Sequence, residues 1–193
     1  MTSLVYRHPR VYRGVLALLY RDALAQRERF VAAHVPPGST VVDVCCGDGG
    51  IRRRLRGVRY VGVDVSPVFV DALARAGVEA VRLDVAREDP PEGDVVLLLG
   101  ALYQFLPDAD AVVERLRRAA RRHVVLAEPH RNLAQSRNPL LRAIARRATD
   151  PGVASSTARF DGPTLRALLE RHGAREVLET RKELVAVLPG RAS

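Results

Sequence analysis

The sequence predicts a doubly wound α/β fold, with a mostly parallel sheet of seven strands and helices on both faces. Five short apolar runs alternate with helical segments along the chain, which is the order that parallel strands and their crossover helices require. Two closing runs, Arg175–Glu179 and Glu183–Leu188, are close enough in sequence to pair as an antiparallel hairpin at the edge of the sheet. The 193 residues suffice for one such domain and are too few for two ordinary ones.

An amphipathic segment precedes the first strand. Apolar residues recur at helical spacing within residues 8–34, and a Pro-Pro-Gly run then ends the segment. We expect residues 1–37 to form a helical segment that can serve as a lid over the site. Residues 38–190 are then expected to form the main domain.

Each of the five alternating runs has the length and the flanking turns of a strand. Thr40–Val44, Tyr60–Val63 and Val78–Leu83 come first, and His123–Ala127 is the fifth. The fourth, Asp94–Leu99, lacks polar alternation, so we expect it to be buried on both faces at the centre of the sheet. The predicted helices lie at residues 51–55, 68–76, 109–120, 139–147 and 163–172.

A glycine-rich turn after the first strand indicates a ligand site. Asp43 lies near the end of that strand, and Gly47 and Gly49 follow in the turn. Glycine permits backbone angles that a Cβ disfavours and lets a ligand approach the main chain closely. The second strand ends in another carboxylate, Asp64. A strand, a glycine loop, a helix and a second strand that ends in an acid are typical of a nucleoside pocket.

Aspartates lie at the ends of three predicted strands, at Asp43, Asp64 and Asp84. In open α/β sheets the ligand binds beyond the carboxyl ends of the strands, so these three acids are expected to surround it. That much negative charge disfavours a dinucleotide pyrophosphate and favours a cationic sulfonium. The Asp64 carboxylate can accept hydrogen bonds from both ribose hydroxyls, and Asp84 can accept one from the exocyclic amine of adenine.

The ordered motifs resemble those of the class I S-adenosylmethionine-dependent methyltransferases, from about Pro36 to Leu188. Val41–Gly49 is similar to the first motif of that family, Asp94–Phe105 to its fourth strand and following loop, and Val124–Pro129 to its fifth strand. The resemblance implies a Rossmann-like fold, with S-adenosylmethionine as the methyl donor and S-adenosylhomocysteine as the product. Within the family, the paired cysteines in the first motif resemble small-molecule methyltransferases related to quinone-biosynthesis enzymes.

The resemblance also implies which residues hold the cofactor. They belong to the glycine loop and to the ends of the second, third and fourth strands. Cys45 stands where the first glycine of the motif usually lies, so the loop is expected to be slightly less open. The implied cofactor-binding residues are Asp43, Cys45, Gly47, Asp48, Gly49, Asp64, Val65, Asp84, Val85 and Gly100.

Methyl transfer is an in-line displacement at a sulfonium, so positioning of the acceptor supplies most of the acceleration. A base is needed only if the acceptor loses a proton during attack. His130, just past the fifth strand, is the best candidate by residue type, because an imidazole exchanges protons near neutral pH. Tyr103 is the second catalytic candidate, as a wall of the acceptor pocket. Glu128 is expected to pair with a backbone amide or an arginine.

The charge of the chain leaves a nucleic-acid substrate open as an alternative. Formal net charge is +9, carried by thirty arginines and one lysine. The arginine clusters fall at helical spacing, which favours solvated helix faces over an RNA-binding surface. Residues 99–103, after the fourth strand, also lack the Asn/Asp-Pro-Pro-aromatic element that usually holds a flipped base. A tRNA or rRNA methyltransferase is therefore less favoured than a small-molecule enzyme.

Two further classes share parts of the pattern. The glycine loop is also similar to that of aminopropyltransferases, but those carry an acid at the end of the fourth strand, where this chain has Gly100. A dinucleotide-binding regulator, which would not be an enzyme, needs a glycine at position 45 and would not normally end the first strand in Asp43.

Composition predicts a cytoplasmic enzyme that is a monomer or a homodimer. The N-terminus lacks a secretory pattern, and no apolar run approaches the ~18 residues of a membrane span. Cys45 and Cys46 are neighbours and cannot form a disulfide framework, which favours a reduced state. The sequence predicts no metal site.

Overall fold

The computed structural model describes residue 22 and residues 24–130 and 158–191. Its centre is a seven-stranded sheet with the strand order β3-β2-β1-β4-β5-β7-β6, so the predicted fold class is confirmed. The strands are β1 (Thr40–Val44), β2 (Arg59–Asp64), β3 (Glu79–Arg82), β4 (Gly93–Leu99), β5 (Ala120–Pro129), β6 (Glu176–Glu179) and β7 (Glu183–Pro189). The first five are parallel, and β7 is antiparallel to both of its neighbours.

Helices cover both faces of this sheet. Helix α1 is described over residues 24–33, and α2 (Pro67–Arg75), α3 (Ala109–Ala119) and α4 (Gly162–Arg171) follow. Two short 3-10 helices lie at Gly50–Arg54 and Leu102–Phe105.

Residues 51–55 do not form the predicted α-helix. A 3-10 helix replaces it at Gly50–Arg54, and Leu55 is already extended. Only a few residues separate the glycine loop from β2, and Gly57 turns the chain at a positive φ of 62°. Its backbone hydrogen bonds join residues three apart, from the Arg52 amide to the Gly49 carbonyl and from the Leu55 amide to the Arg52 carbonyl. The apolar Ile51 is nevertheless buried, as the pattern indicates.

The predicted central strand is confirmed. β4 pairs with β1 on one side and with β5 on the other, and Val95, Val96, Leu97 and Leu98 have no solvent exposure. A strand that is covered on both faces has no polar side to alternate with, which explains its uniform apolar sequence.

β5 begins earlier than predicted, at Ala120, directly after α3. The run Arg121–His123 near its start is polar, but the side chains of Arg121 and His123 have hydrogen-bond partners on neighbouring segments. Arg121 donates from Nε to Asp94 Oδ1 over 3.1 Å, and His123 Nε2 lies 2.7 Å from the carbonyl oxygen of His34. Tertiary partners thus allow a polar run to form a strand.

The C-terminal hairpin extends the sheet beyond β5, as the sequence predicts. β7 lies between β5 and β6, so the antiparallel strand is internal, and the edge strand is β6. Because β7 runs opposite to β5, its first residue, Glu183, pairs with Pro129 at the last position of β5. Glu183 consequently lies at the carboxyl edge of the parallel strands, where a ligand is expected.

Two cores hold the helices to the sheet. One lies between the sheet and α3 and α4, with Val113, Leu116 and Leu165 fully buried. The other lies on the opposite face, where Val31 of α1 is buried together with Val95 of β4. Helix α1 therefore packs on the face of the sheet opposite to α3 and α4.

Two predicted segments fall wholly or mostly outside the residues that the structure describes. The helix predicted at residues 139–147 and most of the proposed lid, residues 1–21, lie outside the described residues. Within the ranges described, no helix is long and apolar enough to cross a membrane.

Candidate functional site

The loop after β1 has the backbone conformation that its glycines predict. Gly47 and Gly49 have φ angles of 54° and 64°, in the left-handed region that glycine enters at little cost. Cys45 lies in the same region, at a φ of 56°, and is the only non-glycine residue with a positive φ among those described. The cysteine thus keeps the turn that a glycine usually makes at this position.

Asp64 fixes this loop from the end of β2. Its Oδ2 accepts a hydrogen bond from the Gly47 amide, and its Oδ1 accepts one from the Ser66 amide, each over 2.9 Å. Burial raises the pKa of Asp64, and the backbone donors partly oppose that rise. The carboxylate is therefore oriented before any ligand binds.

Two clefts open at the carboxyl edge of the sheet and meet at Cys45. We call the first the β2-side cleft. It lies over the ends of β2 and β3 and is lined by Cys45, Asp64, Val65, Val85, Ala86 and Phe105 among others. We call the second the α1-side cleft. It lies between the glycine loop and α1 and is lined by Leu24, Arg27, Asp43, Cys45, Asp48 and Gly50 among others.

Most of the predicted cofactor-binding residues lie in these clefts, but not all do. The Asp48 Oδ1 accepts from the Gly50 amide over 3.1 Å at the rim of the α1-side cleft. The residues that line the two clefts do not include Gly47, Gly49 or Gly100, nor do they include Asp84. Its side chain is 39% exposed, and its Oδ1 caps the following turn by accepting from the Ala86 amide over 3.0 Å. Its predicted contact with adenine stays a prediction.

Asp43 is deeply buried at the base of the α1-side cleft, with 3% of its surface exposed. The Tyr60 hydroxyl donates to its Oδ2 over 2.6 Å. Burial raises the pKa of Asp43 from 3.8 to about 7, although the hydrogen bond from Tyr60 opposes the rise. Tyr60 was not predicted as a site residue from the sequence. A tyrosine in a strand is more often a packing residue than a hydrogen-bond donor to a buried acid.

Gly62 leaves room for the side chains of Leu73 and Cys46 beside the glycine loop. It is the direct neighbour of Asp43 in the parallel pair of β1 and β2. A Cβ at this glycine would lie 2.9 Å from a methyl carbon of Leu73 and 3.0 Å from the Cys46 sulfur. Glycine is needed here for close approach of neighbouring side chains.

Arg27 of α1 also lines the α1-side cleft and was missed by sequence reasoning. Its Nη1 donates to Glu183 Oε1 over 3.0 Å, across 156 residues of sequence. Glu183 is 2% exposed, and no sequence pattern links the two residues. Gly100, at the end of β4, lies beside them, because a Cβ there would be 3.6 Å from Arg27 Nη1.

The two catalytic candidates lie further along the carboxyl edge, outside the residues that line either cleft. His130 is 7% exposed, and its Nε2 is 3.3 Å from the carbonyl oxygen of Thr180 in the β6–β7 turn. Tyr103 is also 7% exposed, and the guanidinium of Arg159 stacks on its ring at 4.0 Å. Their catalytic roles stay predictions.

Glu128 has the structural role that its position predicts. Its Oε2 accepts from the Leu102 amide over 2.8 Å and ties the 3-10 helix after β4 to the end of β5. Burial raises the pKa of Glu128 to about 8, with the carboxylate of Glu183 adding to the rise. No group of side chains among the residues that the structure describes could hold a metal ion.

Comparison with known proteins identifies the family. The family model described as methionine biosynthesis protein MetW matches residues 26–143, which is more than half of the chain. The chain belongs to the MetW family. No curated protein matches it. The predicted relation to quinone-biosynthesis enzymes stays a prediction.

Solved structures show the same fold at low sequence identity. An O-methyltransferase family protein from Burkholderia thailandensis has a TM-score of 0.69 at 15% identity, covering 96% of this chain and 60% of that one. A TehB-like SAM-dependent methyltransferase from Corynebacterium glutamicum has a TM-score of 0.58 at 18% identity, covering 93% and 98%. Magnesium protoporphyrin IX methyltransferase from Synechocystis PCC 6803, solved with bound SAH, has a TM-score of 0.59 at 20% identity, covering 87% and 82%. The MetW-family chain thus has the fold of the class I S-adenosylmethionine-dependent methyltransferases.

Proposed function

We propose that this MetW-family protein is an S-adenosylmethionine-dependent methyltransferase that acts on a small-molecule acceptor. The observation that carries the proposal is the meeting of two clefts at the glycine loop. The β2-side cleft would hold the adenosine, with Asp64 at the ribose and Val65 and Val85 against the base. The α1-side cleft would hold the amino-acid end, and the sulfur would lie near Cys45, where the clefts meet.

The charges that line the clefts support a sulfonium cofactor over a dinucleotide. Carboxylates at Asp43, Asp48 and Asp64 surround the loop, and a cation gains from them while a pyrophosphate is repelled. When bound, the cofactor supplies a methyl group on a positively charged sulfur, which is already a good leaving group. The protein then has to hold the acceptor in line with that sulfur and exclude water.

The acceptor would approach from beyond β4 and β5, where Tyr103 and His130 lie. For an acceptor that loses a proton, we propose His130 as the base, because an imidazole nitrogen can accept a proton near neutral pH. Its Nε2 lies 3.3 Å from the Thr180 carbonyl oxygen, and its Nδ1 faces Gly162 at the start of α4, where a Cβ would lie 3.6 Å away. Tyr103 is proposed as a wall of the acceptor pocket, held by the stacked Arg159.

The pairing of arginines supports a small-molecule acceptor over RNA. Arg115 and Arg118 share Asp89, Arg171 binds Asp110, and Arg54 binds Glu28. A surface that binds phosphates needs cations that are not already neutralised by neighbouring carboxylates. An RNA substrate stays the alternative.

Binding calorimetry tests the cofactor directly. We expect S-adenosylhomocysteine to bind the purified protein, whereas NAD should show no binding at the same concentration. Tight binding of NAD alone would refute the proposal. A labelled-methyl screen against metabolite and RNA pools then addresses the acceptor. Since the description of the family names methionine biosynthesis, the metabolite pool should include sulfur-containing amino acids.

A further inference from the structure

The guanidinium of Arg27 is held in place but uses little of its hydrogen-bonding capacity. Its side chain is 12% exposed, and Glu183 is its only hydrogen-bond partner among the residues that the structure describes. The Nε atom is buried with no partner within that part of the chain. A guanidinium has five N–H donors, and desolvated donors that stay unpaired are unfavourable. Such a group is typical of a site that a ligand completes.

Glu183 fixes where this cation lies. It is 2% exposed at the start of β7, and its Oε1 accepts from Arg27 Nη1 over 3.0 Å. The contact holds the guanidinium at the carboxyl edge of the sheet, beside Gly100. Because Gly100 has no side chain, the space between the end of β4 and α1 stays open to a ligand.

Arg27 is surrounded by acids within the α1-side cleft. Asp43, Asp48 and Glu28 line the same cleft, and among the described residues the only other cation in its lining is Arg53. Arg53 lies on the exposed 3-10 helix after the glycine loop, whereas Arg27 is nearly buried. A ligand with one carboxylate and nearby positive charge matches this arrangement, since its carboxylate binds the buried cation and its cationic groups face the acids.

We propose that Arg27 binds the α-carboxylate of the S-adenosylmethionine amino-acid group, and that Glu183 is the residue that positions Arg27. This inference rests on the proposed function. Helix α1 is then part of the cofactor site and not only a cover over it. The site would select adenosyl ligands that carry an intact carboxylate over those that lack it, including decarboxylated S-adenosylmethionine. That selection separates a methyltransferase from an aminopropyltransferase.

The test compares two ligands on the same variants. S-adenosylhomocysteine carries the amino-acid group, and 5′-methylthioadenosine has the same adenosine and sulfur without it. Calorimetry is carried out with the full-length wild type, Arg27→Gln and Glu183→Gln. Arg53→Gln is the matched control, because Arg53 lines the same cleft but is exposed, whereas Arg27 is nearly buried.

Arg27→Gln should weaken S-adenosylhomocysteine binding by about 10- to 100-fold, because a charge-assisted hydrogen bond to a carboxylate is lost. The same variant should change 5′-methylthioadenosine binding by less than about twofold, since the adenosine half is untouched. For Glu183→Gln, the ratio of the S-adenosylhomocysteine affinity to the 5′-methylthioadenosine affinity should lie between the wild-type ratio and the Arg27→Gln ratio. A merely structural role for Glu183 would weaken both ligands equally.

Three results would overturn the inference. One is an unchanged ratio of the two affinities in Arg27→Gln, whether both ligands bind as in the wild type or both are weakened alike. Another is a loss confined to Arg53→Gln, which would assign the carboxylate to the exposed arginine. The third is failure of the wild type to bind either ligand, which would refute the proposed function itself. The wild-type measurement therefore separates the two failures.

Discussion

The two clefts are built in different ways. In the β2-side cleft the loop is fixed by backbone amides, because Asp64 accepts from Gly47, 17 residues before it, and from Ser66, two residues after it. In the α1-side cleft the groups are side chains brought together from distant segments, and Arg27 and Glu183 are 156 residues apart. One cleft depends on the conformation of a short segment, and the other depends on the packing of the whole domain.

Because of this difference, substitutions should affect the two clefts through different physical causes. A backbone-built site fails when the chain is forced out of its left-handed turn. A side-chain-built site depends on buried charges, whose free energy changes with protonation and with the loss of a partner. Within the glycine loop, Gly49 has both a left-handed conformation and close neighbours in Leu73 and Tyr60, so the largest effect is expected there.

Gly49→Ala should disturb the glycine loop, which joins the two clefts. The residue has a φ of 64°, and a Cβ there would lie 2.9 Å from a methyl carbon of Leu73 and 3.2 Å from the Tyr60 hydroxyl. The left-handed conformation and the overpacking should together lower the free energy of unfolding by about 3 kcal/mol. Displacement of Tyr60 should also weaken S-adenosylhomocysteine binding. Urea unfolding monitored by circular dichroism measures the first effect, and calorimetry measures the second.

Gly77→Ala is the matched control for this variant. Its φ of 69° is similar, but no atom lies within 4 Å of the Cβ position. It should lower the free energy of unfolding by only about 1 kcal/mol and leave ligand binding unchanged. Equal losses in the two variants would show that the loop is not packed against Tyr60 and Leu73 as described.

The backbone-built region is also the one that could be predicted from the sequence. The glycines, the acids at strand ends and the apolar run of β4 each act locally or through a simple period, so their positions follow from the pattern. The absence of the α-helix at residues 51–55 was not predictable from apolar spacing alone. The Gly49 and Arg52 carbonyls each accept from the amide three residues later, which the apolar spacing does not reveal.

The side-chain-built region was largely missed. Tyr60, Arg27 and Glu183 carry no local signal, since a tyrosine in a strand, an arginine in a helix and a glutamate after a turn are each common. Their significance comes from burial beside a partner. The start of β5 was predicted too late, at His123 and not at Ala120, for the same reason. Its polar first residues depend on Asp94 and on the His34 carbonyl for hydrogen bonds.

The protonation of Asp43 should make the α1-side cleft sensitive to pH. Its pKa rises from 3.8 to about 7 on folding, so the folded state binds its proton more tightly than the unfolded chain. The stability contributed by that proton is complete at low pH and is lost as pH rises through about 7. Between about pH 5 and pH 7, the free energy of unfolding should fall by about 2 kcal/mol more in the wild type than in Asp43→Asn.

Urea unfolding over this pH range checks the difference. The amide introduced in Asp43→Asn cannot titrate, but its oxygen can still accept from Tyr60, so the packing is retained. Asp71→Asn, on the exposed surface of α2, is the control and should follow the wild type. The remaining pH dependence in Asp43→Asn is expected from Glu128, whose pKa is also raised, to about 8. Parallel curves for the wild type and Asp43→Asn would contradict the placement of Asp43 as a buried acid.

The smallest effect is expected where the two clefts meet. Cys45 has a φ of 56°, which costs a residue with a side chain about 1 kcal/mol relative to glycine. Cys45→Gly relieves that strain but increases the freedom of the unfolded chain, which offsets most of the gain. The free energy of unfolding should therefore change by less than about 1 kcal/mol. S-adenosylhomocysteine affinity should stay within about threefold of the wild-type value.

Cys45→Val is the contrasting variant, because a β-branched residue is strongly disfavoured at a positive φ. It should lower the free energy of unfolding by about 2 kcal/mol and weaken binding in both clefts. If Cys45→Gly instead raised the affinity by more than about tenfold, the thiol would be an obstruction in the cofactor site. If Cys45→Val had no effect, the left-handed turn would not be what joins the two clefts. A small change for glycine and a large one for valine would show that the loop requires the conformation of glycine but not its lack of a side chain.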